Sequence, residues 1–228
     1  MYDIVFISYH EPNAEDNFES LYNRFNKVGV YGERIKRVKN VKGIHNAHVQ
    51  ASKLVSTDYF FVVDGDAVIV DDFDFSYTTE DIDTVHVYRC MNPINDLVYG
   101  YGGVKLFPTV LTKNMDTTTN DMTTSISNNF KVLDQISNIT AFNTDPFNTW
   151  KSAFRECAKL SSKTIDRQKE DETNERLKTW TTVGHDREFG EHAIRGARAG
   201  VEFGLSNSFN LGRINDFDWL KEKFNGNT

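Results

Sequence analysis

Two aspartates separated by one glycine, Asp64-Gly65-Asp66, follow directly on the apolar run Tyr59-Phe60-Phe61-Val62-Val63. Carboxylates at this spacing leave a turn on neighbouring faces, and hard oxygen donors of this kind suit Mg²⁺ or Mn²⁺ carrying a diphosphate. Such an ion neutralises phosphates and stabilises the charge on a departing nucleoside diphosphate. Gly65 keeps the turn open for a ligand. The simpler reading of an acidic pair is a decorated surface turn, and the apolar run in front of Asp64 and Asp66 argues against it. From 64 to 83 the chain carries Asp64, Asp66, Asp71, Asp72, Asp74, Glu80, Asp81 and Asp83 with no basic residue. That much charge at one strand end asks for a counter-ion, although Asp71, Asp72, Asp74, Asp81 and Asp83 taken singly read as solvated surface.

The elements that must hold these residues are legible from periodicity. Residues 3–8 read as a short buried strand that stops at Tyr9-His10-Glu11-Pro12-Asn13, and Phe18, Leu21, Tyr22 and Phe25 fall at helical spacing. Residues 34–38 look like an edge strand, 46–54 a second helix, and 59–63 a central strand buried on both faces. Strand, helix, strand, helix, strand implies an α/β fold with a mainly parallel central sheet flanked by helices. Ligands of such sheets bind outside the carboxyl ends of the strands, where Asp64 and Asp66 fall. Residues 84–89 and 103–107 read as further strands, the second after the glycine-rich Tyr99-Gly100-Tyr101-Gly102-Gly103. The Thr-, Asn- and Ser-rich stretch 112–129 reads as a long loop able to close over something, and 147–168 and 186–199 as helices.

Here the chain resembles the GT-A class of nucleotide-sugar glycosyltransferases, whose Asp-x-Asp motif ends a central strand of a Rossmann-like half. Lys42-Gly43-Ile44-His45-Asn46-Ala47 is similar to the donor-contacting Arg-Asn segment of inverting family-2-type members, with His45 where Arg is usual. Gly184-His185-Asp186-Arg187-Glu188-Phe189, followed by Arg195, Arg198, Ala199 and Gly200, resembles the family's Glu-Asp motif at the start of a helix ending in Arg-Ala-Gly, with His185 in place of Glu. The run 42–69, with Asn92-Pro93-Ile94-Asn95, the segment 99–108 and Ala141-Phe142-Asn143-Thr144-Asp145-Pro146-Phe147, is similar to small glycosyltransferases carried by tailed bacteriophages. Some of these add sugars to hydroxymethylated pyrimidines in phage DNA.

The resemblance implies a single GT-A (Rossmann-like) domain over 1–228, with 1–90 as the nucleotide-sugar-binding half and 91–228 as the acceptor-binding half. It implies Mn²⁺ or Mg²⁺ on Asp64 and Asp66 and a UDP-linked donor held by Ser8, Tyr9, Glu11, His45, Asn46 and Asp64, with a plain core aromatic as the competing reading of Tyr9; Gly102 and Gly103 allow close backbone approach to donor or acceptor, and Lys105 beside them suits phosphate charge. Asp186 matches the family's catalytic base, with Glu188 as a nearby alternative; a plain N-terminal helix cap is the competing reading of Asp186. His185 is open between metal ligand, acceptor contact and a structural role.

The acceptor expectation rests on the helix read over 147–168, where Lys151, Arg155, Lys159, Lys163 and Arg167 recur every four positions and form one stripe. Such a stripe suits DNA phosphates, and Phe147 or Trp150 suits the gap left by a flipped base. A solvated amphipathic helix with snorkelling lysines accounts for the same pattern. Whole-chain charge is −7, from 26 basic and 33 acidic residues, a mild argument against a nucleic-acid partner that the opposed local regions weaken. Cys90 and Cys157 are isolated, and no signal peptide or membrane span is evident, which points to a cytoplasmic protein in a reducing compartment. The Asn138-Ile139-Thr140 sequon is then without meaning. Competing functions are transfer to a saccharide or protein, a haloacid-dehalogenase-type phosphatase, whose first motif shares the apolar-Asp-x-Asp pattern but normally opens the fold, and an inactive nucleotide-sugar-binding module.

Overall fold

The computed structural model describes residues 1–26, 34–100, 102–119, 122–163 and 169–226. In chain order the elements are β1 (Asp3–Ser8), α1 (Ala14–Asn26), β2 (Ile35–Lys39), α2 (Ile44–Leu54), β3 (Tyr59–Asp64), β4 (Ala67–Ile69), β5 (Val85–Met91), β6 (Val98–Tyr99), β7 (Val104–Pro108), α3 (Thr109–Lys113), α4 (Met122–Ile126), β8 (Phe130–Thr140), α5 (Pro146–Ser161), α6 (Glu170–Thr182), α7 (Gly190–Ser206), a 3-10 segment (Ser208–Asn215) and α8 (Phe217–Gly226). The chain forms two compact units, one of residues 1–91 and 98–141, the other of residues 92–97 and 142–228. Among the described residues no helix is long and apolar enough to cross a membrane.

The first unit holds one sheet in the order β2-β1-β3-β7-β5-β8-β4, with β6 paired to β5. β1 is parallel to β2 and β3, and β5 is parallel to β8, while β7 runs antiparallel between β3 and β5. Five strands therefore point one way, and the carboxyl ends of β1 and β3 share an edge with the amino end of β7, where Val63 pairs with Val104. β3 is buried on both faces because its residues alternate between two cores. Phe61 and Val63 join Ile4, Phe6 and Leu106 under α1; Phe60 and Val62 join Val5, Ile7 and Phe107 with Ala47 and Ala51 of α2.

The stretch expected to be one long loop over 112–129 is anchored. It holds the end of α3 and all of α4, and Met115, Met122 and Ile126 are buried in the second core. β8 escapes sequence reading because Lys131, Asp134 and Gln135 interrupt its apolar pattern, and only its last residues are deeply buried.

In the second unit α5 starts where Asp145 accepts the Asn148 N–H at 2.9 Å with Pro146 in the first turn, a built N-terminus. The helix expected to reach 168 stops at Ser161, and Lys163 takes a left-handed backbone (φ 56°) beyond it. Arg167 lies outside the described residues. α7 lies against α5 through Gly196, Gly200 and Gly204: a Cβ on these would stand 2.3 Å from the Trp150 carbonyl oxygen, 2.3 Å from that of Phe154 and 2.4 Å from that of Ala158.

Candidate functional site

Asp64 is the last residue of β3, and its carboxylate is fixed through one oxygen. Oδ2 accepts the Gly103 N–H at 3.0 Å and faces Lys105 Nζ at 3.3 Å, while the Asp64 N–H donates to the Gly103 carbonyl at 2.9 Å. Among the described residues no hydrogen bond is made to its other carboxylate oxygen. Asp66 lies beyond the turn, tied through its carbonyl, which accepts the Ala141 N–H at 2.7 Å. Desolvation, with the charges of Asp64 and Glu11 adding to it, pushes the Asp66 carboxyl up to about 7.

Gly65 has a reason other than ligand access. A Cβ there would sit 2.6 Å from Glu11 Oε2, and that oxygen accepts the Tyr9 N–H at 2.6 Å. Asn17 of α1 holds the same turn by donating to the Gly65 carbonyl at 2.9 Å. Glu11, Asp64 and Asp66 thus meet at one strand end with Lys105 beside them.

This donor set fits Mg²⁺ or Mn²⁺ held with a diphosphate, because such ions take one or two carboxylates and complete their shell with phosphate oxygens and water. Among the described residues no group of three or more His, Cys, Asp or Glu side chains is placed to hold a metal ion, so an ion on Asp64 and Asp66 would have to take its remaining ligands from substrate oxygens and water. Burial first, and the charges of Asp64 and Glu11 after it, raise Asp66, and a cation bound beside these carboxylates would offset both effects.

The remaining acidic residues do not belong to this edge, which corrects the expectation of one hub. Asp74 accepts the Ser76 N–H at 2.9 Å, Asp81 meets His86 Nε2 at 3.2 Å, and Asp83 accepts Asn129 Nδ2 at 2.7 Å. Arg24 clasps the start of this loop by donating to the carbonyls of Val70 and Phe73, each at 2.8 Å, and to that of Asp71. Since β5 runs parallel to β3 and Tyr59 donates to the Thr84 carbonyl at 3.1 Å, Asp81 and Asp83 lie near the opposite end of the strands, roughly 16 Å away at about 3.3 Å per residue.

Of the other donor-side residues, Ser8 is buried, its carbonyl accepts the Asn40 N–H at 2.8 Å, and Arg37 Nη2 donates to its hydroxyl at 3.4 Å. Tyr9 meets His10 edge-on at 5.0 Å. α2 begins after Gly43 (φ 90°) with no side-chain cap. His45 Nε2 contacts Thr119 Oγ1 at 3.2 Å, which joins the anchored 112–129 stretch to this helix start, and Asn46 donates back to the Lys42 carbonyl at 3.2 Å. Sequence reading missed His48. It is buried edge-on to Phe107, donates from Nδ1 to the Ile44 carbonyl at 2.8 Å, and is held down to about 4 by burial. Asn138 is fully buried, donates to Thr140 Oγ1 at 3.2 Å and accepts from Ser137 at 2.8 Å, so the sequon cannot carry a sugar in this fold.

In the second unit, Asp186 does not start a helix. α7 begins four residues later, after Phe189 in a left-handed conformation (φ 58°), so neither capping nor the helix dipole acts on Asp186. It stands exposed on a tight double turn with Glu188. The Arg187 N–H donates to the Gly184 carbonyl at 3.1 Å, and the Gly190 N–H to the Arg187 carbonyl at 2.9 Å. Gly184 (φ 106°) is pressed so closely on Ile94 that a Cβ would come within 2.5 Å of its carbonyl oxygen, and Arg187 pairs with Asp96 at 3.0 Å. The Asn92-Pro93-Ile94-Asn95 motif is therefore the seat of the Asp186 turn. His185 Nδ1 is bonded to Glu191 at 2.5 Å.

The expected acceptor helix is committed largely to internal packing. Trp150 is fully buried, stacked on Phe154 at 4.9 Å and edge-on to Phe224 at 5.7 Å, which removes it as a wedge into a base stack. Phe147 is half-buried against Phe224 at 5.6 Å. Lys151 lies over the Phe217 ring at 4.6 Å, Arg155 donates to Asn215 at 3.0 Å, and Lys159 pairs with Glu156 at 2.8 Å.

No family model and no curated protein matches the chain. Among solved structures it is similar to a glycosyltransferase involved in glycosylation of the major capsid of PBCV-1 (16% identity, TM-score 0.38, covering 58% of this chain and 82% of that one). It is also similar to residues 1–349 of S. aureus TarS (11%, 0.39, covering 100% and 92%), and to the mannosyltransferase PcManGT from Pyrobaculum calidifontis in complex with GDP-Man and Mn²⁺ (11%, 0.41, covering 99% and 82%). At identities of 11–16% and TM-scores of 0.38–0.41 these likenesses assign no activity to this chain.

Proposed function

We propose that the chain is a metal-dependent glycosyltransferase that moves a sugar from a UDP-linked donor to a hydroxyl acceptor, the acceptor being a hydroxymethylated pyrimidine base in phage DNA. The observation that carries the donor side is the convergence of Asp64, Asp66 and Glu11 at the carboxyl ends of β1 and β3, with Asp64 fixed through one oxygen. Asp64 and Asp66 hold the ion, and His185 is not needed for it. When bound, Mn²⁺ or Mg²⁺ supplies the positive charge that offsets the diphosphate of the leaving group. Ser8, Tyr9 and Glu11 line the nucleoside, His45 and Asn46 approach the donor from the start of α2, and Lys105 acts by orienting Asp64. In the transfer, a bond forms between the acceptor oxygen and the anomeric carbon as the bond to the diphosphate oxygen breaks. The diphosphate leaves with that electron pair, and the acceptor's proton passes to Asp186, or to Glu188 beside it.

The DNA acceptor draws on the resemblance of the quoted segments to phage enzymes and on Phe147, Lys151, Arg155 and Lys159. A saccharide or protein acceptor is the second reading, favoured by the engagement of those three cations in contacts within their own unit.

UDP is expected to raise the melting temperature only with Mn²⁺ or Mg²⁺ present; no metal-dependent shift with any nucleoside diphosphate overturns the transferase reading. Incubation with sugar nucleotides and hydroxymethyl-pyrimidine DNA, followed by mass analysis of the digested nucleosides, is expected to show a hexose or pentose added. Transfer to saccharide or protein without any to DNA decides for the second reading.

A further inference from the structure

Gly102 and Gly103 are neighbours in sequence, yet the structure requires only one of them to be glycine. Gly103 has φ 86°, and a Cβ on it would lie 2.0 Å from Oδ1 of the fully buried Asn138. Its N–H also fixes Asp64 Oδ2 at 3.0 Å. Every side chain is excluded there by backbone conformation and by packing. Gly102 is different. It is not among the positive-φ glycines, and among the described residues, its chain neighbours aside, a Cβ built on it meets only Asp64 Oδ2 at 3.8 Å and Thr140 Cγ2 at 4.0 Å. Both are ordinary van der Waals distances, so alanine fits the fold without strain.

What an alanine methyl at 102 would do is fill the space between Asp64 and Thr140, at the strand end where the carboxylates meet. We infer that Gly102 is the floor of the pocket for the transferred sugar, and that its missing Cβ sets the size of sugar admitted. The sugar's hydroxyls donate to the Asp64 carboxylate above that floor, while the nucleoside diphosphate lies toward Asp66, Glu11 and the end of β1 and does not reach it. This rests on the sugar-transfer reading, and it divides the donor into a part that Gly102 controls and a part that it does not.

The test compares wild type, Gly102→Ala and Gly103→Ala in the presence of Mn²⁺, by thermal melting and by calorimetric titration with UDP, UDP-xylose and UDP-glucose. Gly102→Ala is expected to melt within about 2 °C of wild type, whereas Gly103→Ala melts lower by about 5 °C or more, as a β-carbon forced into positive φ and a packed core demands. Gly102→Ala is expected to bind UDP as wild type does and to lose at least about 10-fold in affinity for UDP-glucose, the scale of one methyl forced into an occupied contact. The loss for the smaller UDP-xylose is expected to be less. Gly102→Ala binding both nucleotide sugars like wild type overturns the inference, as does a loss of UDP in step with the sugars or a melting point as low as that of Gly103→Ala. Wild type that binds UDP while Gly102→Ala behaves in one of these ways leaves the transferase reading standing. Wild type that binds no nucleoside diphosphate overturns both.

Discussion

Asp64 and Lys105 are 41 positions apart and meet because β3 and β7 are adjacent, with Val62 paired to Lys105. Lys105 is 14% exposed and Asp64 31% exposed, so the pair is only partly hydrated and each charge depends on the other. Lys105→Ala leaves Asp64 facing Asp66 and Glu11 without that cation, an expected loss of about 1–3 kcal/mol in urea unfolding. A divalent ion replaces the missing charge, so Mn²⁺ is expected to stabilise Lys105→Ala by a larger margin than it stabilises wild type. Equal stabilisation of the two would show that Lys105 and the ion do not share Asp64. The aspartates themselves were legible in sequence because five apolar residues mark a buried strand, and two carboxylates directly after it must stand at that strand's end. Their partners were not. Glu11 over Gly65 and Asn138 against Gly103 are contacts between distant segments, and no local spacing encodes them.

Elements with strong periodicity came through: β1, β3, α2 and the body of α5 lie where their apolar patterns put them. The failures were at ends and in polar segments. α7 begins at Gly190 because Phe189 adopts a left-handed conformation that breaks the turn from the helix, and the acidic and basic residues around it suggest an earlier start. Gly200, which resembles part of a family motif, has a packing reason of its own, together with Gly196 and Gly204. A β-carbon at 200 would stand 2.3 Å from the Phe154 carbonyl oxygen, a backbone atom that cannot rotate away. Gly200→Ala is therefore expected to cost about 1–3 kcal/mol despite alanine's better helix propensity, because α5 and α7 must separate to admit it. Gly226→Ala, with nothing within 4 Å of the added methyl among the described residues, its chain neighbours aside, is the control and is expected to be neutral or slightly stabilising in the same urea titration. Equal effects at the two positions would mean that the close α5–α7 approach is not a source of stability.

For the whole molecule, net charge proves a poor guide to local field. The −7 of the chain includes acidic residues that split between two ends of the sheet, and basic residues of α5 that brace their own unit. What the fold does to individual groups shows in its pH dependence. His48 is held down to about 4 by burial, with Lys105 and His45 adding to this and the Ile44 carbonyl and Asp64 opposing it; burial lowers His86 in the same direction, opposed by Asp81. A histidine ordinarily titrates near 6.5 when unfolded. Between pH 6.5 and about 4 the unfolded chain therefore takes up protons that folded His48 refuses, and stability falls as pH falls, by at most about 1.4 kcal/mol per pH unit for one proton. Carboxylates held low in the fold, such as Glu15 at about 2, add their loss only below about pH 4.5. Asp66, raised to about 7, acts with the opposite sign, since its folded form holds a proton that the unfolded chain releases, and stability falls as pH rises from 3.8 to 7. Comparing wild type with His48→Leu, which keeps the buried volume and removes the ring, cancels Asp66 and His86 and isolates one group. Urea midpoints measured from pH 7.5 down to 4.5 are expected to fall less steeply for His48→Leu than for wild type. Parallel profiles would mean that His48 takes up its proton in the folded state as readily as in the unfolded chain, and the neutral, buried imidazole beneath the start of α2 would have to be given up.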